Sequence, residues 1–274
     1  EETHSWTDAP SEQFRIRCRH YMTKGHKNKG LKEPSGPAGF RLEDLLLIPS
    51  GKKAFHIMEQ YPLPPTYACR QPGAFPSYVI VFLVPSYHGG PRMNLLLRYE
   101  RDTSSDEGIE PAHLQAYKQM IDRCAEPGST FFADRIKVLP YLAAGAGWVM
   151  SKLVNNQPGL ICAALETRQF QGDGYIEVDI DAEGFKSGPF STFAKKIIDV
   201  VRPKVASLVI DLAFMLQGNE EAELPERLIG SIRLARLDLA NPFVEDPSEC
   251  ESKKWIRRES RQNSKSQNGN HEHL

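Results

Sequence analysis

Val205-Ala206-Ser207-Leu208-Val209-Ile210-Asp211-Leu212-Ala213-Phe214-Met215-Leu216 is the longest apolar stretch of the chain, interrupted in its middle by Asp211. Upstream of it, Phe193, Ile197, Val200 and Val201 recur at helical spacing, and Pro203 separates the two segments. Read as a second helix after the first, Val205 to Leu216 is apolar nearly all round, and such a helix is buried or lines a cavity. It is well short of the roughly 20 residues that span a bilayer. Asp211 inside it must be hydrogen-bonded, paired or shifted in pKa, because a carboxylate buried alone costs several kcal/mol. Arg227, Arg233 and Arg236 are the candidate structural partners, and a ligand contact is the alternative.

Working outward, the rest of the chain reads as a meander of strands. Tyr78 to Val84 is a continuous apolar run, the pattern of a strand buried on both sides, and Met93 to Tyr99 is its expected antiparallel partner. Leu45 to Ile48 is a short buried strand or helical turn, and Phe131 to Leu142 a strand region. Gly172-Asp173-Gly174 joins two further strands, Gly159 to Phe170 and Tyr175 to Asp181, as a hairpin. Ile229 to Leu239 offers a closing strand. Between them, Pro111 to Cys124 carries Leu114, Tyr117 and Ile121 on one helical face. The expected fold class is α+β: a curved antiparallel sheet packed on one face by a long C-terminal apolar helix, a helix-grip or START-like arrangement that encloses a cavity.

Composition narrows the function. The chain has 274 residues with 34 Lys and Arg against 35 Asp and Glu, so its net charge is -1 and bulk attraction to nucleic acid is not expected. Local charge carries more. Phe14 to Arg19 alternates apolar with arginine, the period of a half-buried strand, and no acid occurs from Arg15 to Lys32. A solvated edge protected by charge is the ordinary reading, and a phosphate-bearing partner the other. Residues 1–13 are a polar extension, 14–244 a single domain, and 245–274 a basic, polar, flexible tail around Trp255. No signal peptide is legible, and the N-terminus reads as a processed or truncated end. The expected setting is intracellular, soluble or peripheral to a membrane, with no compartment specified.

Catalytic motifs are missing. Five widely spaced cysteines form no C-x-x-C pair, and eight histidines form neither H-x-x-x-H nor H-E-x-x-H. His88-Gly89-Gly90 lacks the G-x-S-x-G elbow that an esterase needs, and no P-loop or dinucleotide fingerprint is present. Glu177, Asp179 and Asp181 alternate along a strand on the same face as Tyr175. An outward row answered by Arg or Lys on the next strand is expected, with a hard cation as the alternative. No enzyme, metal or cofactor is therefore expected.

Several landmarks, in order, resemble the C-terminal domain of the plant enhanced disease resistance 2 family, also described as a domain of unknown function. They include Phe14-x-Ile16-Arg17 with Tyr21, Tyr78-Val79-Ile80-Val81, Leu139-Pro140 and Gly147-x-Val149 around Trp148. Further on come Lys152, Val154 and Pro158, then Gly172 to Asp179, Ser207 to Phe214, and Leu224-Pro225-Glu226-Arg227-Leu228-Ile229-Gly230 with Arg233-Leu234. The resemblance implies relatives that carry a phosphoinositide-binding PH domain and a lipid-binding START domain ahead of this region, and a stand-alone form without them is the expectation for these 274 residues. The resemblance supplies no catalytic residues.

The expectation that combines these readings is a non-enzymatic domain for a lipid or another amphipathic molecule, associated peripherally with membranes. Its apolar part would lie against Trp148, Tyr175 and the Val205 to Leu216 helix, with Arg15, Arg17 and Lys152 near an anionic head group and Asp211 as a further contact. The rival is an interaction subunit that docks onto a larger protein assembly, with the same helix as plain core.

Overall fold

In a computed structural model of the chain, the described residues are 5–61, 75–86 and 91–237. The first half contains β1 (Ser5–Thr7), β2 (Arg15–Arg17), β3 (Lys32–Pro34), β4 (Phe40–Ser50), α1 (Ile57–Gln60), β5 (Ser77–Val84), β6 (Arg92–Arg101) and α2 (Pro111–Ala125). Then come α3 (Phe131–Arg135), β7 (Ile136–Ala144), α4 (Trp148–Val154), β8 (Gly159–Leu160), α5 (Ile161–Ala164), β9 (Leu165–Gly172) and β10 (Tyr175–Phe185). The last elements are α6 (Pro189–Val201), β11 (Val209–Leu216) and β12 (Leu228–Ala235).

The fold is α+β, built on two five-stranded sheets and a small β2–β3 ribbon. One sheet runs β1-β12-β11-β7-β8 with every pair antiparallel. The other runs β4-β6-β5-β10-β9 and is antiparallel except for β5 beside β10. Their facing sides form one core: Tyr78, Ile80, Tyr99, Ile176 and Val178 of the second sheet meet Phe214, Ile229 and Ile232 of the first. Phe214 stands 6.0 Å from Phe82 and 6.2 Å from Tyr99, ring centre to ring centre. Gly230 allows this approach, since a Cβ there would lie 2.2 Å from the Tyr99 ring. α2 closes the core with Tyr117, Met120 and Ile121.

The stretch that opened the sequence reading is a strand, not a helix. Val209–Leu216 is β11, hydrogen-bonded on one side to β12 and on the other to β7. A central strand covered on both faces is apolar on both, which imitates an all-round apolar helix over so short a run. A 3-10 turn, Arg202–Ser207, carries Pro203 as its second residue and separates β11 from α6. The helix that the helix-grip expectation placed at Val205 to Leu216 is therefore not found there, and the described residues form two five-stranded sheets in place of one. Phe131 to Leu142 is likewise split, a short helix preceding β7, and Trp148 to Val154 is helical.

Other expectations hold. β5 and β6 form the antiparallel pair, β9 and β10 the hairpin around Gly172-Asp173-Gly174, and β12 is the closing strand, although the single strand expected over Gly159 to Phe170 divides into β8 of the other sheet, the helical turn α5 and β9. The apolar face of α2 is buried as its period predicts. His88-Gly89-Gly90 and the basic tail with Trp255 lie outside the described residues.

Candidate functional site

Three groups of residues stand out, at different places on this framework. The first is built by α4 and α6, which pack together beside Leu142, Leu208 and Ile210 at one end of the first sheet. Met150 and Val154 anchor α4 there, leaving Trp148 74% and Val149 66% exposed. In α6 only Ser191 is buried; Phe190 is 68% exposed, and Phe193 and Val200 are also open to solvent. Phe193, Lys196 and Val200 follow each other at i, i+3 and i+7, so a cation sits within an exposed apolar line. Lys152 stands one turn from Trp148, its Nζ 5.9 Å from the indole ring. Residues 186–207 hold five Lys or Arg against the single acid Asp199. α4 and α6 thus both present large apolar side chains to solvent with cations beside them, an exposed apolar ridge.

The second group is the β2–β3 ribbon. Arg17 and Lys32 are directly paired across the strands, so both project from the face that Arg15 shares. Arg15 donates to the Lys32 carbonyl at 2.6 Å, and its backbone N–H donates to Asn156 Oδ1 at 3.2 Å, just beyond the end of α4. Arg17 lies 3.8 Å from the Glu226 carboxylate, donates to the Gly218 carbonyl, and stands over the Tyr21 ring. Glu226 is buried and also holds the buried Lys137 ammonium. Burial pushes the Lys32 pKa down, Glu226 opposes that, and Arg17 and Arg15 add to it. Lys137 is lowered in the same way, by burial first, with Glu226 opposing and Arg17 and Lys32 adding to it.

The third group is the acid row, and it is not outward-facing. Glu177, Asp179 and Asp181 are fully buried on the outer side of the second sheet, beneath the segment 53–58. The Ile57 N–H donates to Glu177 at 2.7 Å, the His56 N–H to Asp179 at 2.7 Å, and Lys53 Nζ reaches Asp181 at 2.5 Å. His56 takes the left-handed conformation (φ 60°), stacks on Phe170 and lies 2.9 Å from the Tyr175 hydroxyl through Nε2. Burial pushes Glu177 up to about 9, with Asp179 beside it adding to the effect. Asp179 is raised to about 6, again by burial, with bonds from Glu177 and His56 opposing. Tyr175 is pushed up to about 12 by burial and the acids around it. Asp179 Oδ1 is buried with no hydrogen-bond donor placed against it. Among the described residues no group of three His, Cys, Asp or Glu is placed to hold a metal ion.

The six residues singled out from sequence therefore divide. Arg15 and Arg17 lie on the ribbon, Trp148 and Lys152 on α4, and Asn156 links the two places. Tyr175 belongs to the acid row on the outer side of the other sheet. Asp211 faces the outer side of the first sheet, held by Arg233 at 2.7 and 2.8 Å and by Gln13 at 2.7 Å. The structural pairing considered for it is the one found. Among the described residues, two cavities of about 310 and 420 Å³ are lined by other side chains, the first between Ile48 and Tyr61, the second along α2. Sequence reading did not single out Phe190, and it placed Phe193 with Ile197, Val200 and Val201 at helical spacing without assigning what lies against them. It also missed the Lys32, Lys137 and Glu226 cluster. Helical spacing identifies an apolar face without saying whether protein or solvent lies against it.

Residues 6–238 match the family model described as Protein ENHANCED DISEASE RESISTANCE 2, C-terminal. A protein of Arabidopsis thaliana described as Protein ENHANCED DISEASE RESISTANCE 2-like is 30% identical over 125 residues, covering 46% of this chain and 16% of that protein. The chain thus aligns with only a small part of this relative's length. No solved structure matches it.

Proposed function

From the premise that this chain belongs to the ENHANCED DISEASE RESISTANCE 2 C-terminal family, we propose that it is a non-enzymatic lipid-binding domain that associates peripherally with anionic membrane surfaces. The observation that carries this reading is the α4–α6 ridge, where Trp148, Val149, Phe190 and Phe193 are exposed among Lys152, Lys195 and Lys196. Aromatic tips set among cations suit the boundary between head groups and acyl chains. Each cation near an anionic surface contributes about 1 kcal/mol, roughly a fivefold change in partition. Lipid is met at the surface in this reading and not enclosed, because the space between the sheets is filled by Phe82, Tyr99 and Phe214. The strongly shifted acids are sealed beneath residues 53–58 rather than open to substrate, which favours a binding role over catalysis.

Sedimentation with phosphatidylcholine vesicles, with and without phosphatidylserine, tests it. The parent protein should partition to the anionic vesicles, and Trp148→Ser with Phe193→Ser should reduce this at least tenfold without lowering the melting temperature. Equal recovery of parent and variant, or none of either, overturns the membrane reading and leaves a protein partner as the ridge's occupant.

A further inference from the structure

The β2–β3 ribbon holds more positive charge than its surroundings neutralise. Arg15, Arg17 and Lys32 share one face, Arg15 lies beside Lys32, and Arg17, Lys32 and Lys137 all lie near the carboxylate of Glu226. Glu226 is already occupied: it accepts from Lys137, from the Gly218 N–H and from the Arg17 N–H. Among the described residues, the Lys32 ammonium has neither an ion pair nor a hydrogen bond, and the Arg15 guanidinium meets only a backbone carbonyl. Arg17 opposite Lys32 is a like-charged cross-strand pair, which destabilises a ribbon unless something negative offsets it. Arg17 is meanwhile fixed by Gly218, Glu226 and the Tyr21 ring, so one guanidinium is held in place while two cations beside it stay unpaired.

We propose that this face of the ribbon is a phosphate-binding site, in which Lys32 and Arg15 take the phosphate oxygens beside the anchored Arg17. A doubly charged tetrahedral anion offsets the excess charge and suits a guanidinium's fork of donors together with an ammonium's point charge. The Asn156 contact places the site at the end of α4, whose start carries Trp148, so a phosphate on a lipid head group and one on a soluble molecule are both sterically consistent. The assignment deepens the membrane reading by naming the head-group chemistry, and it is tested separately from the ridge.

Isothermal titration calorimetry with inorganic phosphate, and sedimentation with vesicles containing phosphatidic acid or phosphatidylserine at matched surface charge, form the two arms. The parent should bind inorganic phosphate or prefer phosphatidic acid at least fivefold. Arg15→Gln combined with Lys32→Gln should abolish whichever effect is seen, while melting no lower than the parent because repulsion with Arg17 is relieved. Preference for phosphatidic acid identifies a lipid source; phosphate binding without that preference identifies a soluble one. Trp148→Ser with Phe193→Ser should weaken vesicle binding and leave phosphate binding unchanged, so failure of the ridge is distinguishable from failure of this site. Absence of both effects in the parent, or their persistence in the double glutamine variant, overturns the proposal.

Discussion

Glu177 and Asp179 show how a residue's chemistry is set by what covers it. Alternation along β10 correctly placed both on the face of Tyr175, but the groups that bury them come from residues 56–58, 119 to 123 positions away in sequence. Nothing local to the strand could announce that cover. Both carboxyls hold a proton more tightly when folded than when unfolded, so their contribution to stability is complete below the ordinary carboxylate range. It is lost as pH rises through the folded values, about 6 for Asp179 and about 9 for Glu177. The melting temperature should therefore fall between pH 5 and about pH 9. Glu177→Gln, which carries no titrating proton, should flatten the upper half of that decline, and an unchanged slope would refute the assignment. Glu226→Ala leaves the buried Lys137 without its counter-charge and should cost about 3–5 kcal/mol in chemical denaturation.

At the scale of elements, spacing was most reliable where one face met the core and the other met water. α2 is of this kind, whereas the β9–β10 hairpin was legible from its Gly-Asp-Gly turn and not from a wet face, since Tyr175 to Asp181 of β10 are buried on both sides. Spacing misled for β11, because a strand covered on both sides loses the alternation that distinguishes it from a buried helix. α6 is the converse case. Its period is right, yet only Ser191 is buried, so the apolar stripe faces outward as much as inward. Phe193→Ser alone should then change folding stability by no more than about 0.5 kcal/mol, the behaviour of a surface substitution. A loss of several kcal/mol in a denaturant titration would show that the stripe is core after all.

For the whole molecule, the two sheets share one interior, with Tyr99, Phe214 and Gly230 at the point of closest approach. Differential scanning calorimetry should give a single transition for the region they form, and Phe214→Ala should lower its stability by about 3–5 kcal/mol. Two separated transitions would mean that the sheets fold independently. The sequence by itself determined the α+β class, the β5–β6 and β9–β10 pairings, the family, and the acid-free basic stretch, because each rests on local periodicity, turn chemistry or charge order. Only the tertiary structure decided that β11 is a central strand, that the acid row is sealed, that Asp211 is held by Arg233, and that the aromatic ends of α4 and α6 emerge on the surface. Those outcomes depend on which distant segment lies against each face, and burial, unlike periodicity, is set by neighbours brought together in folding.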